Sequence, residues 1–85
     1  MLLKLEVPHV SPLQLRTLLD LSRASVQFKA KIRIRNGKTE VNPKNLSEMV
    51  TLLDAGDHDL EISAEGEDAY RALRSLHSLV TGIPV

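Results

Sequence analysis

The most constraining feature of this chain is a segment that alternates apolar and basic residues and then runs into an Asn-Gly pair. The apolar side carries Phe28, Ala30, Ile32 and Ile34, and the basic side carries Lys29, Lys31, Arg33 and Arg35. Strict alternation is typical of a strand with one buried face. Asn36-Gly37 favours the positive φ angles of a tight type I′ turn, and residues 38–41 are predicted to return as a second strand. The sequence therefore predicts a β-hairpin with one basic, solvent-facing side.

The rest of the chain contributes two more strands and three helices. Strands are predicted over residues 2–7 and 58–64, and helices over residues 14–26 and 46–53 and between Gly66 and Gly82. Asn45 is a candidate N-cap for the middle helix, with Glu48 at its third position. Three helices cannot cover both faces of a four-stranded sheet well. We therefore expect one α+β domain over residues 1–85: an open-faced sandwich in βαββαβα order, with three helices on one face of a four-stranded antiparallel sheet.

Composition excludes several classes of function. The chain has no cysteine, which rules out disulfides, thiol catalysis and thiolate metal sites. Eleven Lys and Arg balance eleven Asp and Glu, so nothing in the charge favours nucleic acid or an anionic membrane as partner. No apolar run could span a bilayer and no signal peptide is evident, so the cytoplasm is the default expectation. We predict no cofactor and no metal, and take a monomer as the default.

The start of the first helix has an unusual set of side chains. Ser11-Pro12-Leu13-Gln14 leads into a helix whose first turn carries Arg16. Free backbone N–H groups and an arginine make such a turn a place for an anion. Gln14, however, neither ionises near neutral pH nor serves as an ordinary nucleophile. This turn is thus suited to an anion or a partner's carboxylate but has no evident reactive group; a solvated glutamine and arginine are the alternative.

Three segments at mutually consistent spacing carry a resemblance to a known family. They are Leu13-Gln14-Leu15-Arg16, the hairpin Arg35-Asn36-Gly37-Lys38 followed by Val41-Asn42-Pro43-Lys44, and Ile62-Ser63-Ala64-Glu65-Gly66-Glu67-Asp68. Together they resemble the phosphocarrier HPr family of the bacterial phosphoenolpyruvate-dependent sugar phosphotransferase system, over nearly the whole chain. Such proteins carry a phosphoryl group from a general kinase to sugar-specific transport proteins and are not enzymes with turnover of their own.

The resemblance implies that two phosphorylation sites of the family are missing. Its members open the first helix with a motif of the type Gly-Leu-His-x-Arg-Pro, whose histidine accepts the phosphoryl group. Gln14 stands at the histidine's position and Arg16 at the arginine's, while Pro12 and Thr17 replace the glycine and the proline. A regulatory serine found in some members corresponds to Asn45, which keeps a capping oxygen but has no hydroxyl.

Another histidine could in principle replace the acceptor. His9 lies in the loop ahead of the first helix, whereas His58 and His77 are far along the chain. No two histidines have the spacing of a helical metal site, and no Ser/His/Asp set is apparent. Phosphoryl transfer through His9 is kept as the alternative hypothesis.

The middle helix has more apolar residues than one buried stripe needs. In the resembling family this helix and the first one dock partner proteins. By position we expect Leu46 and Val50 to face outward, with Arg16 and Arg23 beside them, as a small apolar patch suited to an acidic partner surface. Incidentally exposed aliphatic side chains are the alternative.

The preferred hypothesis is an HPr-like protein that has lost phosphoryl transfer. It would act as a protein-binding or regulatory module, with proteins of the phosphotransferase system, or related to it, as partners. An active carrier using His9 is the second hypothesis. A structural or assembly module that has only inherited the fold remains the third, because fold does not determine function.

Overall fold

In a computed structural model of the protein, residues 2–7, 14–54 and 59–82 are described. In chain order the elements are β1 (Leu2–Val7), α1 (Leu15–Ser25), β2 (Lys31–Asn36), β3 (Thr39–Val41), α2 (Leu46–Val50), a 3₁₀ turn (Thr51–Asp54), β4 (Leu60–Glu65) and α3 (Ala69–Thr81). The strands form one sheet in the order β1-β4-β2-β3, and every neighbouring pair is antiparallel. The predicted fold class is confirmed.

The core lies between one face of the sheet and the helices. The sheet contributes Ile32, Ile34, Leu60, Ile62 and Ala64, and the helices contribute Leu18, Leu21, Met49, Ala72 and Leu76. The alternate residues of β2, which are Lys31, Arg33 and Arg35, are exposed. The opposite face of the sheet is therefore polar and open to solvent, as the alternation predicts.

β2 begins later than the alternation suggests, because the backbone just before it forms hydrogen bonds with a side chain and not with a strand. The strand was expected from Phe28 but starts at Lys31. The backbone N–H groups of Lys29 and Ala30 donate to the Asp68 carboxylate at 2.8 and 2.9 Å, and not to a neighbouring strand. An interaction distant in sequence thus overrides a correct local pattern.

The hairpin exists, but its turn lies one residue beyond the predicted one. Asn36 belongs to β2 and is paired with Thr39, so the two connecting residues are Gly37 and Lys38. Gly37 has a φ of 64°, a backbone conformation that glycine adopts without a steric penalty. The prediction that Asn36 and Gly37 form the two centre positions of the turn is wrong.

The middle helix is shorter than predicted. α2 ends at Val50 and continues as the 3₁₀ turn Thr51–Asp54. Leu52 is buried in this tighter turn while Leu53 is exposed. His58, the predicted first residue of the fourth strand, lies outside the described residues, and β4 begins at Leu60.

Candidate functional site

Gln14 is the N-cap residue of α1, with an extended backbone (φ −88°, ψ 154°). Its carbonyl oxygen accepts the Leu18 N–H at 3.1 Å, which is the first hydrogen bond within the helix. Its side chain is exposed and accepts no capping hydrogen bond. No described side chain binds the N–H groups of Leu15, Arg16 and Thr17, which precede that first bond. The start of α1 therefore presents backbone donors at the positive end of the helix dipole.

Two arginines of α1 lie on one side of the helix, because they are seven residues apart and thus about two turns apart. Both Arg16 and Arg23 are exposed. Arg23 lines an open groove between α1 and α3 with Asp20 of its own helix and Ser78 of the other. The structure thus associates Arg23 with α3, and its expected proximity to Leu46 and Val50 on α2 stays a prediction.

An exposed apolar patch lies on α2 and the turn that follows it. Leu46, Val50 and Leu53 are 44%, 42% and 42% exposed, and we call these three residues the α2 patch. Leu46 and Val50 are four residues apart and so lie on the same side of the helix. Their outward orientation agrees with the sequence-based expectation.

Leu15 is a further exposed leucine, which the sequence analysis did not single out. It belongs to the first turn of α1, the helix packed against α2, and is 51% exposed. A leucine at the head of an apolar helical pattern ordinarily suggests a core position. In the structure the buried stripe of α1 is formed by Leu18, Leu21, Ser22 and Ser25, and Leu15 lies at its margin.

Asn45 caps α2 as predicted. Its Oδ1 accepts the N–H of Ser47 at 3.0 Å and that of Glu48 at 3.4 Å. Glu48 does not return a bond to the cap, because its Oε1 accepts the Asn42 N–H at 3.1 Å. Asn45 itself is exposed, so the position is open to solvent while its oxygen stabilises the helix start.

Asp68 has a role that the sequence analysis missed. It precedes α3 but makes no side-chain cap there; its two carboxylate oxygens accept the N–H groups of Lys29 and Ala30. These backbone hydrogen bonds, that of Lys29 foremost, hold the pKa of the Asp68 carboxyl below its ordinary value. Lys44 contacts the same loop, since its Nζ donates to the Phe28 carbonyl oxygen at 2.6 Å. The loop after α1 is thus held from two directions.

The histidines form no reactive cluster in the part of the chain that the structure describes. His9, the alternative phosphoryl acceptor, and His58 both lie outside the described residues. His77 is half-buried on α3. The described residues contain no group of His, Asp and Glu that could hold a metal ion.

A family model described as the PTS HPr component phosphorylation site matches residues 3–82. That match spans almost the whole chain, including β2, β3, β4 and all three helices. The chain therefore belongs to the HPr family, whose members are phosphocarriers of the phosphotransferase system and interact with its other components. No curated protein sequence shows significant similarity to the chain.

Solved structures of HPr proteins share this fold. The phosphocarrier protein HPr of Bacillus anthracis is 26% identical, with a TM-score of 0.80, over 93% of this chain and 96% of that one. The Mycoplasma histidine-containing phosphocarrier protein is 20% identical, with a TM-score of 0.76, over 94% and 93%. Crh, the catabolite repression HPr of Bacillus subtilis, is 24% identical, with a TM-score of 0.71, over 94% and 95%. Within the described residues, no helix has the length and apolarity to cross a membrane.

Proposed function

We propose that this chain is an HPr-family protein that does not carry a phosphoryl group on a histidine at the start of α1. It acts instead as a protein-binding or regulatory module for components of the phosphotransferase system or their relatives, in the cytoplasm. The observation that carries the proposal is the residue at the N-cap of α1. By resemblance this is the position of the family's acceptor histidine, and here it is Gln14, whose amide is exposed and hydrogen-bonds to none of the helix N–H groups.

The chemistry of the amide supports this proposal. A phosphoryl acceptor needs a nucleophilic lone pair, which a neutral imidazole nitrogen has and a carboxamide lacks at ordinary pH. Asn45, at the position of the regulatory serine, is also an amide and uses its oxygen to cap α2. Both positions keep hydrogen-bonding groups without an acceptor hydroxyl or imidazole. Covalent switching at these two positions is therefore absent from the proposed function.

The surface around these positions supports binding. The α2 patch exposes three aliphatic side chains, and α1, packed beside α2, exposes Leu15 and Arg16. Apolar side chains next to an arginine are typical of the centre of a protein interface. The charge of Arg16 favours a partner with a carboxylate or another anion at this place.

Phosphorylation can be tested directly. The wild-type protein is incubated with phosphoenolpyruvate and the general kinase of the system, and its intact mass is measured. We expect no gain of phosphate. The matched variant Gln14→His restores an imidazole beside the helix donors and should gain one phosphate. A wild-type protein that gains phosphate efficiently contradicts the proposal, and loss of that gain in His9→Ala would then identify His9 as the acceptor.

The binding surface needs a separate test. Leu46→Glu combined with Val50→Glu should abolish capture of phosphotransferase-system proteins from a bacterial lysate, measured by mass spectrometry. Leu79→Glu is the matched control, since Leu79 is an exposed leucine on α3. Equal capture by the wild-type protein and the α2 variant would show that the binding surface lies elsewhere.

A further inference from the structure

The face of the sheet that points away from the helices carries its side chains in rows that run across the strands. Residues directly opposite each other on neighbouring antiparallel strands lie on the same face, about 5 Å apart. One outer row contains Leu2, Glu65 and Lys31, and the other contains Glu6, Glu61, Arg35 and Glu40. The row between them, which we call the middle row, contains Lys4 of β1, Ser63 of β4 and Arg33 of β2.

The basic residues of the two outer rows have carboxylates opposite them. Lys31 of β2 lies directly opposite Glu65 of β4. Arg35 lies opposite Glu61, and its Nη2 donates to Glu61 Oε2 at 2.9 Å. The positive charges of these rows are therefore balanced by negative charges on the neighbouring strand.

The middle row has two cations and no carboxylate. Lys4 and Arg33 lie opposite Ser63 from its two sides, so their Cα atoms are about 10 Å apart. Both residues are exposed, and neither forms an ion pair or a side-chain hydrogen bond with any residue that the structure describes. Two positive charges repel each other, and an anion placed between them turns this repulsion into attraction on both sides.

The side chains of the middle row suit a phosphate group. Ser63 is short and half-buried, so it forms the floor between two long side chains whose charged ends can meet above it. An ammonium, a guanidinium fork and a hydroxyl then donate to the same place. A phosphate monoester has three acceptor oxygens and a charge of about −2 near neutral pH, and so satisfies these donors better than a singly charged carboxylate with two oxygens.

We infer that the middle row binds a phosphate group, either as the free ion or as the monoester of a small molecule. The neighbouring carboxylates limit the size of the ligand, because Glu61 and Glu65 lie about 7 Å from Ser63 along β4. They repel an extended polyanion, such as a nucleic acid or an anionic membrane surface, but leave room for one compact phosphate group. This inference does not depend on the proposed function, which uses the surface of α1 and α2.

An NMR titration tests the position of the site. Isotope-labelled protein is titrated with sodium phosphate and, separately, with glycerol phosphate, and sodium chloride at the same ionic strength is the control. The amide signals of Lys4, Ser63 and Arg33 should shift and saturate with a dissociation constant on the order of 1 mM. Tighter binding of glycerol phosphate assigns the site to a monoester, and equal or tighter binding of inorganic phosphate assigns it to the free ion. Shifts confined to the start of α1, or equal shifts with sodium chloride, would overturn the inference.

Single substitutions test the roles of the three side chains. Lys4→Gln and Arg33→Gln should each raise the dissociation constant about tenfold, because each removes one charge-assisted hydrogen bond. Ser63→Glu places a carboxylate between the two cations and should abolish binding. Lys38→Gln is the matched control, because it removes the same charge at the exposed hairpin turn, about 10 Å or more from Arg33 and thus at the limit of electrostatic screening. Unchanged affinity in both Lys4→Gln and Arg33→Gln, or an equal loss in Lys38→Gln, would contradict the inference.

Discussion

Asp68 and Ala30 are joined across 38 positions of sequence: Asp68 Oδ1 accepts the Ala30 backbone N–H at 2.9 Å. The other oxygen of the same carboxylate accepts the Lys29 N–H at 2.8 Å. One side chain thereby connects the beginning of α3 to the segment that leads into β2. This connection determines where β2 begins, and it makes the stability of the fold depend on the charge of one carboxylate.

The first prediction concerns acid stability. Because the pKa of Asp68 is lowered in the folded state, its stabilising contribution is fully present above the ordinary aspartate pKa of about 3.9. The contribution is lost as the pH falls through the lower folded-state pKa. Asp68→Asn should remove this part of the pH dependence, measured by urea unfolding at a series of acidic pH values. Glu67→Gln is the control for loss of one negative charge at the adjacent position, and parallel acid profiles for the wild-type protein and Asp68→Asn would refute the prediction.

The second prediction compares two glycines. Gly66 has a φ of 142°, and a Cβ built there would lie 3.1 Å from the Ala30 Cα. Gly82 has a φ of 72° with nothing within 4 Å of such a Cβ. Gly66→Ala should therefore lower the free energy of unfolding by roughly 3 kcal/mol, through strain and contact together. Gly82→Ala should cost only about 1 kcal/mol, through conformation alone. Denaturant unfolding measures the free energy of unfolding of both variants. Equal losses of this free energy would contradict the prediction, because they would mean that the close approach to Ala30 adds no cost.

The third prediction concerns the cap of α2. Asn45→Ala removes the oxygen that accepts the Ser47 and Glu48 N–H groups, so it should destabilise the protein by about 1 kcal/mol. Asn45→Ser keeps a capping oxygen and should recover most of this loss. Thermal unfolding of the two variants measures the difference. A serine variant as unstable as the alanine variant would show that the cap does not contribute.

The fourth prediction concerns the centre of the sheet. Ile62 of β4 is fully buried, and β4 lies between β1 and β2. Ile62→Ala should cost about 2–5 kcal/mol, because it removes buried methyl groups and leaves a cavity. The smaller truncation Ile62→Val should cost about 1 kcal/mol. Urea unfolding gives both values, and near-equal losses would indicate that the core collapses around the alanine.

Local patterns in the sequence predict most of the fold. The alternation of apolar and basic residues in β2 identifies a strand and its buried face, because its period follows directly from strand geometry. The turn of the hairpin was displaced by one residue, since Asn36 pairs with Thr39 and leaves Gly37 and Lys38 as the connection. Local propensity finds a turn but does not decide which residues complete the ladder.

Features that depend on distant residues were not predictable in this way. The hydrogen bonds that Asp68 accepts from Lys29 and Ala30 exist only after α3 and β2 are assembled. The residues near Asp68 in the sequence therefore do not predict them. In the candidate site, too, some features depend on neighbouring residues and others on distant ones. The cap by Asn45 follows from its own neighbourhood, whereas the position of Arg23 in a groove with α3 depends on how two helices pack.

The central position of β4 bears on how the chain folds as it is made. β1 and β2 lie on either side of β4 and do not pair with each other, so neither has its main neighbour until residues 60–65 have left the ribosome. Until then the short β2–β3 hairpin is the one strand pairing of this sheet that can form. The β1–β4 contacts also close a loop that holds more than half of the chain, from Val7 to Leu60, and long-range closure of this kind slows folding. Nascent chains that stop before β4 would expose β1 with no neighbouring strand and β2 with one edge unpaired, and they are expected to depend on chaperones.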